Sequence, residues 1–286
     1  MNKLDVLVMA SSRPDLLKIT MQSFKEYMVF KNIELRYLIH EDFVYPEESK
    51  KSLEYALNHF DIVESSLPKI GVGYAMDKMF KMVESDYVFY LQDDWEFERP
   101  VELDRLLWTM DNNPSINCIT FNKYRNMKKI EGFEDKEFEY DGMKFCIYGG
   151  WQFLPGVWRM SKVREKWSPR KVRPEGNYQN SFGSNEVRQN HDHLLKEVGA
   201  YMYGGMGEYR YVRHTGNTWR MADWQLKQNN FKPTGCRHWD FMNIERDRAP
   251  WLGDMPARPM NRGVGLTAEG RKFLKDQPKY IQEMYK

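Results

Sequence analysis

Apolar positions along this chain follow two periods, and the two alternate. Residues 4–10 form an apolar run broken by a single acid, the pattern of a strand buried on both faces. After the polar Ser11-Ser12-Arg13, Pro14 suits a first helical position with Ser12 as a nearby cap, and Leu17, Met21 and Phe24 recur at helical spacing. Residues 35–40 read as a second strand ending on Glu41-Asp42. Pro46 opens a helix to about residue 60, with Leu53, Leu57 and Phe60 as its inward stripe, and residues 61–63 make a short strand. Residues 74–83 form a helix on Met76, Met79, Phe80 and Val83. Residues 87–91, five apolar or aromatic positions without a charge, predict a buried central strand.

Pro100 begins a further helix to about residue 111, facing Leu103, Leu106, Leu107 and Met110 inward, and residues 116–121 are a strand. Asp141-Gly142 is the two-residue turn of a hairpin over residues 138–145. The chain is then aromatic and irregular to Trp158, and Ser184 caps a helix running to Gly199. Residues 211–216 form a strand that ends at His214 beside Thr215-Gly216. From Asn217 the sequence is rich in Trp, Pro, Gly and Arg, with little periodicity before Thr267. Strand and helix alternating in this way predict an α/β fold: a mixed, mostly parallel sheet flanked by helices, with an irregular C-terminal extension. The expected organisation is one domain over residues 1–216, with residues 217–286 as an extension packed on it. Within that domain residues 1–125 form one half and residues 126–216 the other.

Charge changes this picture by dividing it. Residues 151–286 carry 24 Lys/Arg against 14 Asp/Glu, a net of +10, while the first 150 carry 19 against 27, a net of −8. A basic half beside an acidic one points to an anionic partner for the second half, with plain surface chemistry as the other reading. Residues 158–173 interleave seven cations with Trp158 and Trp167, a pattern that suits a sugar face or nucleic acid strand and equally a solvated amphipathic helix. Cys118, Cys146 and Cys236 are odd in number and show no metal spacing, so reduced thiols in a cytoplasmic protein are expected. No leader pattern precedes the first strand, and no apolar run approaches the length of a membrane span.

The stretch that follows the central strand carries the candidate chemistry. Asp93, Asp94 and Glu96 stand within four residues at its carboxyl end. Acids there are costly unless a cation neutralises them, and open α/β sheets bind ligands at that edge. Hard divalent ions bridged to phosphate oxygens suit such carboxylates. A solvated polar loop capping a core strand is the alternative. The turn at Ser11-Ser12-Arg13, between a strand and a helix start, is a ready anion pocket, and Gly71 and Gly73 let backbone approach a ligand.

These pieces together resemble nucleotide-sugar glycosyltransferases of the GT-A fold, in particular the family 2-like group. Val8-Met9-Ala10-Ser11-Ser12-Arg13-Pro14 resembles the family's first strand and nucleotide-facing turn, and the segment from Gly71 to Asp77 resembles the one before its metal strand. The run from Val88 to Glu96 looks like the strand and turn that bear the family's DxD motif. Glu186 at a helix start resembles the acceptor-side acidic motif, and His214 before Thr215-Gly216 is similar to the late metal-binding His. Gln92 stands where the first acid of a DxD would, so the resemblance implies either Asp94-Trp95-Glu96 or Asp94 with His214 as the working set.

The resemblance implies a metal-dependent transfer of a sugar from a nucleoside diphosphate, UDP foremost, to a hydroxyl. Mn2+ or Mg2+ would sit at Asp94 and His214. Ala10, Ser11, Arg13, Asp42, Gly71, Asp77 and Asp93 would contact the nucleotide donor. Glu186 would be the general base, giving inversion, with Asp192 as the other candidate. Trp95, Trp151, Trp158 and Arg159 would meet the acceptor. The basic, aromatic second half suits an anionic polymer as acceptor, for instance DNA carrying hydroxymethylated bases of the phage type. Two rival readings are a non-catalytic nucleic-acid-binding protein on a decayed transferase fold and a sugar nucleotidyltransferase.

Overall fold

The computed structural model describes residues 2–43, 45–67, 70–123, 137–147, 153–167, 199–205 and 210–216. In chain order these give β1 (Asn2–Ala10), α1 (Pro14–Tyr27), β2 (Met28–Val29), β3 (Ile33–Asp42), α2 (Pro46–Leu57), β4 (Ile62–Ser66), α3 (Val72–Phe80) and β5 (Tyr87–Gln92). There follow β6 (Trp95–Phe97), β7 (Val101–Glu102), α4 (Leu103–Asn112), β8 (Cys118–Phe121), β9 (Glu137–Tyr140) and β10 (Met143–Ile147). The last are β11 (Gly156–Arg159), α5 (Met160–Lys166), β12 (Ala200–Tyr203) and β13 (Val212–His214).

Among the described residues nine strands form one mixed sheet in the order β4-β3-β1-β5-β11-β8-β12-β10-β9. The strands β4, β3, β1 and β5 run parallel, which puts all their carboxyl ends on one edge. β11 enters antiparallel between β5 and β8, and β12 pairs parallel with β8 before the β9–β10 hairpin closes the far side. Two small ribbons stand apart from it, β13 with β6 and β2 with β7. The chain divides into two units, residues 1–127 with 135–214, and residues 128–134 with 215–286. Apart from Thr215 and Gly216 the second unit, with the expected extension, lies outside the described residues.

The core sits where the apolar runs predict. Leu4, Val6, Leu7 and Val8 of β1 have no exposure, nor have Val88 to Leu91 of β5. Leu17, Met21 and Phe24 of α1 are fully buried, and Phe24 meets the ring of Phe89 edge-on at 4.9 Å. α3 buries Met76, Met79 and Phe80 as its periodicity requires.

Elsewhere local pattern misleads. The apolar stripe expected for α2 fails: Leu57 is 70% exposed, and the helix buries Ser49, Ser52 and Ala56 instead. A polar network beneath that face, described below, explains the choice. The helix expected from Pro100 starts at Leu103, because Val101 and Glu102 pair as β7 with β2. β11 and β12 lie in stretches with no strand signal. β11 depends on Gly156, where a Cβ would fall 2.2 Å from the carbonyl oxygen of Ile119. The helix expected over residues 184–199 lies outside the described residues but for Gly199. Cys118 and Cys146 are buried free thiols, and burial pushes Cys146 up to about 12, so neither is a reactive thiolate.

Candidate active site

β5 ends at Gln92, and the chain keeps its pairing with β1 for one more step, Asp93 N–H donating to the Met9 carbonyl at 3.0 Å. That step sets Asp93 against the turn leaving β1. Ser11 N–H donates to Asp93 Oδ2 at 3.0 Å. Arg13 reaches across both acids: Nε donates to Asp93 Oδ2 at 3.1 Å, Nη2 to Asp93 Oδ1, and Nη1 to Asp94 Oδ2 at 2.6 Å. Asp93 is fully buried and Asp94 3% exposed, so the neutralising cation that acids in such a place require is Arg13.

His214 comes to the same oxygen from far along the chain. β13 pairs antiparallel with β6 in a register that sets His214 opposite Trp95. Its Nε2 lies 3.2 Å from Asp94 Oδ2, and its ring lies 4.6 Å from that of Trp95. Ion pairs lock this ribbon: Arg213 holds Glu96, and Arg210 holds Glu98 at 2.7 and 2.9 Å. α1 anchors it from below, Thr20 Oγ1 accepting from Trp95 N–H and Ser23 Oγ from Phe97 N–H. Gln92, in place of an acid, joins the packing: it donates to the Tyr90 hydroxyl at 3.0 Å and accepts from Trp95 Nε1 at 3.3 Å.

Electrostatics follow from this crowding. Burial works to lower the Arg13 guanidinium, but the charges of Asp93 and Asp94 outweigh it and hold the group above its ordinary range. Burial pushes the Asp93 carboxyl up; Arg13 pulls it down, Asp94 pushes it up again, and the net direction is upward. Two acids and one arginine leave the shelf a net negative charge when all are ionised.

A divalent ion is what the sequence resemblance implies here. Among the described residues no three His, Cys, Asp or Glu side chains gather to hold one. Asp94 and His214 do converge, and Mg2+-like ions ordinarily take one or two carboxylates and draw their other ligands from phosphate and water. The donor set fits an ion held largely by a bound diphosphate and does not fit a cage made by the protein.

The other expected residues distribute as follows. Ala10 is buried at the end of β1, opposite Glu41 of β3. The Asp42 carboxylate accepts the backbone N–H groups of Ile70 and Gly71, each at 2.9 Å, and so ties the loop before α3 to the end of β3. Gly71, at φ +83°, is the residue that starts α3. Asp77 lies on α3 and pairs with Lys81 at 2.8 Å. Trp95 is 3% exposed and backs His214. Trp158 is fully buried, stacked on Tyr90 at 4.3 Å, a core side chain. Arg159 pairs with Tyr87 at the opposite end of β5, donating to the Tyr87 hydroxyl, to the Met110 carbonyl of α4 and to the Ile116 carbonyl before β8. The structure therefore brings Ser11, Arg13, Asp93, Asp94, Trp95 and His214 together and leaves Trp158 and Arg159 apart from them. Trp151, Glu186 and Asp192 lie outside the described residues.

Glu41, which the sequence marks only as an acid at the end of a strand, lies in a layer beneath the turn. Glu41, fully buried, accepts Ser12 N–H at 2.6 Å and the Ser49 hydroxyl at 2.7 Å. Burial pushes its carboxyl up to about 7, against the bonds from Ser49 and Ser12 that lower it. The available signal was alternation: adjacent strand residues face opposite sides, so Glu41 and Asp42 could not share one role.

Comparison with solved structures identifies the fold. The chain superposes on S. aureus TarS 1–349 with a TM-score of 0.51 at 10% identity, over 99% of this chain and 83% of that one. Against the same fragment in complex with UDP the values are 0.51 and 11%, over 99% and 83%. GalNAc-T7 with UDP, GalNAc and Mn2+ gives 0.51 at 9% identity, over 74% of this chain and 43% of that one. The chain spans 50% of the longer TarS structure. No family model and no curated protein matches the sequence. The fold is that of the GT-A nucleotide-sugar transferases, as the sequence resemblance implies.

Proposed function

We propose that this chain is a metal-assisted glycosyltransferase that moves a sugar from a nucleoside diphosphate to a hydroxyl. The convergence of Asp94, Asp93 and His214 beside the Ser11–Arg13 turn, at the carboxyl edge of the parallel strands, carries the reading. UDP is the first donor nucleotide to try, since two of the similar structures hold it. In the transfer an acceptor oxygen bonds to the anomeric carbon while the bond from that carbon to the diphosphate oxygen breaks. The electron pair leaves with the diphosphate, and the acceptor proton goes to Glu186, or to Asp192 in its stead. A single displacement of this kind inverts the anomeric centre. Asp94 and His214 would hold the divalent ion, which when bound offsets charge on the leaving diphosphate. Arg13 places a fixed positive charge at the same edge, and Ser11, Ala10 and Gly71 line the backbone there. Asp42 keeps the α3 loop in place, and Asp77 is the remaining donor-side candidate.

The acceptor class rests on charge and aromatic content. The +10 carried by residues 151–286 suits an anionic polymer, and DNA with hydroxymethylated bases supplies both the charge and the hydroxyl. Trp151 is placed with that acceptor. Residues 1–216 would do the chemistry, with residues 217–286 as an extension of the same domain. A cytoplasmic location goes with this reading; among the described residues no helix is long and apolar enough to cross a membrane.

The test is a melting-temperature panel of UDP, GDP and other nucleoside diphosphates with and without Mn2+, followed by transfer assays on hydroxymethylated and unmodified DNA. A nucleotide that raises the melting temperature only with Mn2+ supports the site by mass action. Asp94→Ala should lower donor turnover by about 10³-fold, as expected for a group stabilising leaving-group charge. Unchanged turnover in that variant removes the proposal. Binding of DNA without any donor turnover favours the non-catalytic alternative.

A further inference from the structure

The turn that carries Ser11 and Arg13 passes through an uncommon backbone state. Ser12 has φ +54°, and among the described residues the other non-glycine with positive φ is Asp141, in a hairpin turn. A Cβ disfavours this region, so something must hold Ser12 there. Its N–H donates to Glu41 Oε1 at 2.6 Å, its hydroxyl lies 2.6 Å from that of Ser49, and the Ser12 hydroxyl also accepts Tyr45 N–H at 2.8 Å. Ser49 donates in turn to the same Glu41 oxygen at 2.7 Å, closing a triangle of three fully buried side chains. On either side of Ser12, the Ser11 N–H and the Arg13 guanidinium are aimed at Asp93 and Asp94.

Burying a carboxyl here is expensive. Among the described residues Glu41 forms no ion pair, and its Oε2 has no hydrogen-bond partner. What it supplies is an acceptor for the Ser12 N–H, which is shut away from water. We propose that Glu41 is a positioning residue: by holding Ser12 in the left-handed region it aims Ser11 and Arg13 at the acid shelf. It touches neither donor nor acceptor. The consequence for donor binding rests on the function proposed above; the consequence for the turn does not.

The experiment uses the full chain and four variants: Glu41→Gln, Glu41→Leu, Ser12→Gly, and Glu41→Leu with Ser12→Gly. Glutamine keeps the acceptor, leucine removes it, and glycine takes positive φ without a Cβ penalty. Two quantities are read: hydrogen exchange of the Ser11 amide by NMR, and the Kd of UDP with Mn2+ by calorimetry. An unsatisfied buried donor is worth about tenfold or more in an equilibrium. Glu41→Leu should therefore speed Ser11 exchange and weaken UDP by about tenfold or more each. Glu41→Gln should stay within about threefold of wild type, and Ser12→Gly should recover part of the leucine variant's loss, because glycine removes the Cβ penalty while its N–H still lacks the acceptor. Unchanged Ser11 exchange in Glu41→Leu, a glutamine variant as impaired as leucine, or no rescue by glycine overturns the proposal. If wild type does not bind UDP while the exchange pattern holds, the function falls and the positioning role stands. If Glu41→Leu does not fold, Glu41→Met removes the same acceptor with an unbranched side chain of similar length and must speed Ser11 exchange.

Discussion

The central strands carry a buried aspartate with an arginine at each end, and the two pairs differ in what surrounds them. At the amino end, Asp5 of β1 is 2% exposed and bonded to Arg36 at 2.6 and 2.9 Å. It also accepts the N–H groups of Glu84 and Ser85, and its own N–H finds the Ser85 hydroxyl at 2.9 Å. Burial works to raise that carboxyl, but Arg36 and the two backbone donors outweigh it and hold it below its ordinary value. At the carboxyl end, Asp93 has Arg13 and one backbone donor, but it also has Asp94 beside it, and its carboxyl stands above its ordinary value. A satisfied carboxylate closes an end of a sheet. A crowded one, next to a like charge and a histidine, is a place where added positive charge is favourable. Arg36 also pairs with Glu84 at 2.7 Å, so each arginine serves two acids; what separates the ends is that Glu84 is 77% exposed while Asp94 is buried beside Asp93.

Breaking each pair sharpens the contrast. Removing one partner of a buried pair that also satisfies backbone donors costs about 4 kcal/mol, so Asp5→Ala should lose that much in urea unfolding. Asp93→Asn leaves Arg13 its bond to Asp94 and relieves a like-charge contact, so its loss should be near 1 kcal/mol. Equal losses from the two would erase the distinction between the ends.

Proton linkage gives the next largest effect, and its sign is the reverse of the usual carboxylate. Glu41 rises from an ordinary 4.5 to about 7 in the folded chain. Between these values the unfolded chain has released the proton and the folded chain has not, so the unfolded state binds fewer protons. Stability therefore falls as pH rises from 4.5 to 7, by about 3 kcal/mol from this group at 1.36 kcal/mol per unit. Asp5 acts oppositely: the stability it contributes is present above pH 3.8 and lost as pH falls through its folded value. Denaturant midpoints across that window should be flatter in Glu41→Gln than in wild type; the same slope in both would contradict the assignment.

The same contrast explains what the sequence could disclose. The parallel half was legible because β1 and β5 are buried on both faces and read as unbroken apolar runs. The acids at the end of β5 were legible as a costly cluster, and the resemblance supplied His214 and left its partner as Asp94. Their counter-ion was harder to read: Arg13 lies eighty positions from Asp93, and only the β1–β5 pairing joins them. Glu41 was hidden for a related reason. Its partners sit on a turn and on the serine face of α2, where polar residues suggested solvent and the apolar Leu57 suggested core. Trp158 and Arg159 were misleading because an aromatic beside a cation looks alike in a core strand and in a binding surface. β11 places them in antiparallel register with β5, which buries one and carries the other to the far end.

Asp77 offers the smallest effect and the finest division between the two kinds of acid. Its position in a motif places it with the donor, and in the structure it pairs with Lys81, just past the end of α3, a partner that is 73% exposed. A solvent-facing pair at that spacing contributes about 0.5 kcal/mol at most, and salt screens it. Asp77→Ala should therefore shift the unfolding midpoint within that limit and leave the Kd for UDP with Mn2+ within about threefold of wild type. A tenfold loss of UDP affinity at unchanged stability would move Asp77 from the helix surface to the donor site. The acids that matter to the nucleotide would then extend beyond the crowded end of β5 to the face of α3.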